Sequence, residues 1–143
     1  MECPLGFAVE PEMIGIDTKV LVRFLVADDK TQTDRAHAFL AQSRSQGESI
    51  YISTMVLCET AWALRSVFGH SRTEILEVIE RLLGTDVFEV EAEDAIRAAL
   101  QSCRAGKGDF ADHLIGHMNL AKGCRSTVTF DRSLGRAAGF STL

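Results

Sequence analysis

From Met13 onward the chain alternates short apolar runs of strand length with longer runs of helical spacing, and nearly every junction carries a cap or a breaker. "MIGI" is a strand, and "TKVLVRFLVA" after it has helical spacing until "DDKTQTD" breaks it. Residues 33–45 form a second helix with Ala36, Phe39 and Leu40 on one face. "ESIYIST" alternates as a strand does, with Ser53 or Thr54 placed to cap the next helix. That helix, over 54–68, is apolar almost all round and stops at Gly69, and "SRTE" (Ser71 to Glu74) is a capping box opening a helix that ends near Leu83, before Gly84. "VFEV" is a third strand. Helices over 92–104 and 110–122 come after it, separated by Gly106 and Gly108 and closed by Gly123. "STVTF" is a fourth strand and "FSTL" a short last one. Alternation of this kind predicts an α/β sandwich around a parallel sheet, in which ligand chemistry gathers at the carboxyl ends of the strands.

Residues 1–12 contain both prolines, Pro4 and Pro11, and show no periodicity. They are read as a flexible N-terminal extension to one domain over 13–143, a length that supports a single sizeable core. No apolar run approaches the roughly 20 residues that cross a bilayer. The opening residues lack the basic end and apolar stretch of a signal peptide, so a cytoplasmic location is expected. Cys3, Cys58, Cys103 and Cys124 lie far apart with no C-x-x-C pair, which argues against a zinc knuckle or a disulfide framework; most are expected to act as small buried hydrophobes. A net charge of −5 gives no hint of nucleic-acid binding, so attraction to RNA or DNA would need a local basic patch or bound cations.

The carboxyl-end rule singles out acids. Asp17 directly follows the first strand and Asp131 the fourth; each could also be a plain helix N-cap. Glu59 lies in the apolar "TMVLCETAWALRSVF", where it needs a partner or an opening, and Arg65 is the available ion-pair partner. Asp109 and Asp112 in "GKGDFADHLIG" are one helical turn apart, and acids there also favour the helix dipole. Together Asp17, Glu59, Asp112 and Asp131 make an acidic set with no matching basic set. Such a set repels itself without a cation, and oxygen-only ligands suit Mg²⁺ or Mn²⁺. Metal-assisted hydrolysis of a phosphodiester follows from that chemistry. Two motifs carry less. "HLIGH" has the zinc spacing of H-E-x-x-H but leucine at the glutamate position, and "GKGD" is too short for a phosphate-binding P-loop.

The stretches "MIGIDTKVLVRFLVADD", "VLCETAWALRSVFG", "GDFADHLIG" and "TVTFDRSL" stand in the order and at the intervals of one family. With them the chain resembles the PIN-domain ribonucleases, in particular the VapC-type toxins of prokaryotic toxin–antitoxin pairs, from Met13 to the C-terminus. The resemblance implies a three-layer α/β/α fold with a central parallel sheet of about five strands. It also implies a Mg²⁺- or Mn²⁺-dependent endoribonuclease that forms a homodimer and is restrained by a VapB-like antitoxin. Carried over by motif, Asp17, Glu59 and Asp112 are the central acids and Asp131 the fourth. Asp17 and Asp112 would be the most direct metal ligands, with Glu59 and Asp131 holding a second ion or orienting water. Asp109 would be an outer acid, and Thr18 and Thr129 polar supports. Arg23, Arg65, Lys107 and Arg132 are the nearby basic groups for RNA.

One position departs from the family pattern: where D-T-N or D-S-N is usual, this chain reads "DTK". Lys19 brings a charge, a longer reach and no acceptor. Turned inward it would pair with Asp17 or Glu59 and compete with metal; turned outward it would sit on the first helical turn. The departure keeps open a second function class, a catalytically weakened PIN domain acting as an RNA- or protein-binding regulatory module. A haloacid-dehalogenase-type phosphotransferase also places an Asp after its first strand but needs D-x-D-x-T, and Lys19 occupies the second acid position.

Overall fold

The computed structural model describes residues 12–143; the expected extension over 1–12 therefore lies outside the described residues except for Glu12, as does Cys3. Strand β1 (Met13–Gly15) leads into helix α1 (Thr18–Leu25) and α2 (Lys30–Ser45). Then come β2 (Ser49–Ile52), α3 (Thr54–Ser66), α4 (Arg72–Leu83), β3 (Phe88–Val90), α5 (Glu93–Ala105) and α6 (Phe110–Lys122). The chain closes with β4 (Thr127–Thr129), a 3₁₀ turn over Leu134–Arg136, and β5 (Phe140–Thr142).

All strand pairs are parallel, as expected of βα alternation. The five strands form two hydrogen-bonded sets: β1-β2-β3, with Ile14 opposite Ile50 and Ile50 opposite Phe88, and β4-β5, with Thr127 opposite Phe140. The period of two sends Ile50, Ile52, Phe88 and Val90 into the core, while Met13 and Glu89 face outward. Leu57 and Leu64 of α3, Ile75 and Ile79 of α4, Ile96 and Leu100 of α5, and Phe110 and Leu114 of α6 complete that core. Each such apolar side chain contributes roughly 1.5–3 kcal/mol on full burial.

The helix starts follow their caps. Asp17 accepts from the Val20 amide (3.0 Å), Ser53 from Val56 (3.2 Å), and Ser71 and Glu74 form the capping box read from "SRTE". Helix α2 begins three residues earlier than its apolar pattern suggests, because Asp29 in the "DDKTQTD" break is itself the cap, accepting from Gln32 (3.0 Å). Helix α3 is apolar in composition, yet Met55 and Trp62 on it are exposed. The cysteine expectation holds only for Cys103, since Cys58 is half-buried and Cys124 exposed among the described residues.

The smaller sheet is fastened through α6. Asn119 donates to the Thr127 hydroxyl (2.9 Å), and the Phe140 ring lies so close over Gly116 that a Cβ there would stand 2.5 Å from it. Gly116→Val is expected to push Phe140 off α6 and lower stability by about 1–3 kcal/mol, the usual range for overpacking. Melting curves of the single variant and of a double variant test this: adding Phe140→Ala should recover part of the loss.

Candidate active site

Four acids were expected to share a cleft, and each proves to be anchored in the same way. Asp17 caps α1 through Oδ1, and Asp112, in the first turn of α6, accepts the Asp109 amide through Oδ2 (3.0 Å). Glu59, on the exposed side of α3, takes the Thr18 hydroxyl through Oε2 (3.0 Å), so α1 supplies both an acid and the support of its neighbour. Asp131 sits in the turn after β4, where Oδ1 accepts from the Ser133 amide (2.9 Å), the Ser133 hydroxyl (2.7 Å) and the Leu134 amide (3.2 Å). Its own amide donates to the Thr129 hydroxyl (3.0 Å). In all four, one carboxylate oxygen is used to fix direction, and the other has no protein partner among the described residues.

These acids avoid the cost of burial. Asp17, Glu59 and Asp131 are exposed and Asp112 half-buried, so the apolar surroundings of "MIGIDTKVLVRFL" do not enclose Asp17. The hydrogen bonds from Ser133 and Leu134 hold the Asp131 carboxyl below its ordinary value of 3.8. Glu91, at the end of β3, is lowered in the same manner by the amide and hydroxyl of Thr54, both at 2.8 Å.

The N-terminus of α6 is the most heavily built part of the site. Arg72, the first residue of α4, donates through Nε to the Gly108 carbonyl (3.1 Å) and through Nη2 to those of Gly106 (2.9 Å) and Cys103. His113, buried on α6, donates from Nε2 to the Lys107 carbonyl (2.5 Å). The turn 105–109 is thus held from inside by two side chains, which fixes where α6 starts and where Asp112 stands. His117, the other histidine of "HLIGH", is 2.7 Å from the Ser102 hydroxyl; burial first, and then His113, pushes it below its ordinary 6.5. Both rings fasten α6 to its neighbours, which accounts for their one-turn spacing without zinc.

Other expectations resolve differently. Arg65 pairs with Asp109 (2.7 Å), not with Glu59. Arg23 is tied to Asp28 (3.1 Å) and Gln32 (2.6 Å), while Lys107 and Arg132 are exposed. Lys19 is exposed, is in none of the ion pairs among the described residues, and lines with Asp17 a groove of about 710 Å³ between β1, α1 and α2. Glu59, Asp112 and Asp131 do not line that groove.

A model of the PIN domain matches residues 14–140. The chain belongs to the PIN-domain family. It is also similar to a VapC ribonuclease of Aquifex aeolicus (strain VF5), with 27% identity over 128 residues that cover 90% of this chain and 93% of that protein. Among the described residues of this PIN domain, no three His, Cys, Asp or Glu side chains converge as a ready metal cage. The donor set nevertheless fits a hard divalent cation in kind: it is all oxygen, each acid keeps one oxygen unclaimed, and such ions bind through one or two carboxylates with water completing the shell. No helix among the described residues is long and apolar enough to cross a membrane.

Sequence reasoning missed Arg72, which reads as an ordinary first-turn residue; the signal available was a run of glycine carbonyls at 106 and 108 with no local donor. Arg72→Ala is expected to cost about 2–4 kcal/mol, since it strands several carbonyls at once, and to speed amide exchange in residues 105–112 by hydrogen-exchange mass spectrometry. Asp131 gives a pH test. Its carboxyl is lowered in the fold, so its contribution is present above the ordinary value and is lost as pH falls through the lowered one. Asp131→Asn should flatten the fall of stability as pH drops below the ordinary value of 3.8, measured by urea melts across that window.

Proposed function

We propose that this PIN domain is an endoribonuclease that uses Mg²⁺ or Mn²⁺ to hydrolyse RNA phosphodiester bonds. The observation that carries the reading is the shared anchoring of Asp17, Glu59, Asp112 and Asp131: each is fixed by one oxygen and presents the other. Fixed carboxylate oxygens without a basic counterpart are what a divalent cation needs and what a phosphate alone would avoid. The similarity to a protein named a ribonuclease supports the substrate class.

Asp17 and Asp112 would hold the ion. When bound, it supplies a water of lowered pKa and neutralises charge on the phosphate. Thr18 keeps Glu59 pointed by donating to Oε2, leaving Oε1 to orient a water or accept its proton. The hydrogen bonds from Ser133 and Leu134 lower the Asp131 carboxyl and fix its direction, which suits a fixed anionic group. Arg72 and His113 contribute by holding the turn that sets Asp112. In the same reading the protein is the toxin of a VapBC-type pair, works in the cytoplasm as a homodimer, and is silenced by a VapB-like antitoxin.

A second reading, a regulatory module with weakened catalysis, rests on Lys19 alone, at the mouth of the groove beside Asp17. Cleavage of mixed RNA with Mg²⁺ or Mn²⁺ separates the two. Under the main reading EDTA stops cleavage, and Asp17→Asn or Asp112→Asn reduces it by well over the roughly 100-fold that outer partners of a metal site are worth. Thr18→Val, which removes only the hydroxyl on Glu59, should cost about tenfold. Because Lys19 makes no ion pair with an acid among the described residues, Lys19→Asn should change Mn²⁺ affinity by less than about threefold in titration calorimetry. A folded protein that cleaves no RNA with either metal would favour the module.

A further inference from the structure

A second, smaller feature contains an exposed ring, Trp62, to which none of the roles above refers. Between α3, α4 and the first turn of α6 is a cavity of about 100 Å³, lined by Cys58, Trp62, Arg65, Arg72, Asp109 and Phe110 among others. Its inner wall is apolar apart from Arg72, whose guanidinium is engaged with the carbonyls of the turn before α6. Its open side carries Trp62, which is 67% exposed, and the Arg65–Asp109 pair, whose side chains are 60% and 65% exposed. Trp62 is the only tryptophan of the chain and stands one helical turn beyond Glu59; Arg65 stands one turn further. Phe110 opens the same helix turn that carries Asp112.

An indole left in water beside an apolar slot forgoes the large burial an aromatic ring normally gains. An exposed pair such as Arg65–Asp109 adds little to stability, so stability does not explain its placement. The three groups together suit one class of ligand. A planar ring system stacks on the indole, and its polar edge meets guanidinium donors and a carboxylate acceptor side by side. The volume admits one such ring system and is far too small for a partner helix, which is about 10–12 Å across. Glu59 and Asp112 do not line the cavity, but each stands one helical turn from a residue that does, Glu59 from Trp62 on α3 and Asp112 from Asp109 at the start of α6.

We infer that this cavity receives one unpaired base of the RNA, stacked on Trp62 and read at its edge by Arg65 and Asp109. The inference rests on the ribonuclease reading above and adds to it a preference for single-stranded RNA with a selected base beside the cut. Its salt dependence is weak for the base contact, because stacking is not electrostatic, in contrast to phosphate contacts.

Asp17→Asn, which keeps a capping side chain on α1 while suppressing cleavage, is mixed as the full chain with single-stranded oligoribonucleotides of each base. Trp62 fluorescence is expected to change saturably and to differ among the four. Trp62→Ala in the same background should weaken binding about tenfold, measured by anisotropy of labelled RNA, and Trp62→Phe should stay within about threefold. In the cleaving protein, Arg65→Ala should alter which nucleotide borders the cut. RNA binding with no change in Trp62 fluorescence, or with Trp62→Ala unaffected, overturns the base site and leaves the ribonuclease reading intact. So does a fluorescence shift that follows protein concentration without RNA, which would assign Trp62 to a contact between copies of the chain. If the unmodified protein neither binds nor cleaves RNA with Mg²⁺ or Mn²⁺, the ribonuclease reading fails and the base site with it.

Discussion

Every helix begins with backbone N–H groups that its own turns cannot satisfy, and this fold is organised around how those groups are met. At α1, at α6 and at the 3₁₀ turn the acceptor is an acid of the candidate site: Asp17, Asp112 and Asp131. At α2, α3 and α4 it is Asp29, Ser53 with Glu91, and the Ser71–Glu74 box. A capping carboxylate needs only one oxygen, so the same side chain can end a strand, start a helix and still offer a ligand. Structural and functional readings of these acids are therefore not rivals. The cap is the device that aims the ligand.

Much of this was legible locally. The capping box at Ser71, the helix over 110–122 and the stop at Gly123 depend on residues a turn apart, and they stand where the sequence puts them. The start of α2 was misplaced because "DDKTQTD" looks like a break, although the break contains the cap. What depends on distant pairing was not legible. Nothing near Arg72 says that its guanidinium will gather carbonyls 31 to 36 residues away, and nothing near Arg65 says it will prefer Asp109 to Glu59 six positions back. Asp17 and Asp131 are legible from their position after strands, Glu59 as a charge in an apolar helix and Asp112 from its one-turn spacing to Asp109, signals that name residues without giving their contacts.

The charges also sort by what they can do. Lys30–Asp34 and Arg81–Glu77 are exposed pairs one turn apart, of the kind worth a few tenths of a kcal/mol. Arg72 differs because its partners are neutral carbonyls at a glycine-rich turn, where no water-exposed alternative fixes the backbone equally well. Helix α4 carries none of the four acids, yet the place of Asp112 is inherited from its first residue.

The division of the strands into two sheets bears on where the acids stand. Among the described residues no backbone hydrogen bond joins β1 to β4, so Asp17 and Asp131 follow strands of two different hydrogen-bonded sets. The 127–143 segment is instead fastened to α6, by Asn119 on Thr127 and by Phe140 over Gly116. The helix that carries Asp112 is thus also the seat of the strands that flank Asp131, and one element sets the place of two acids.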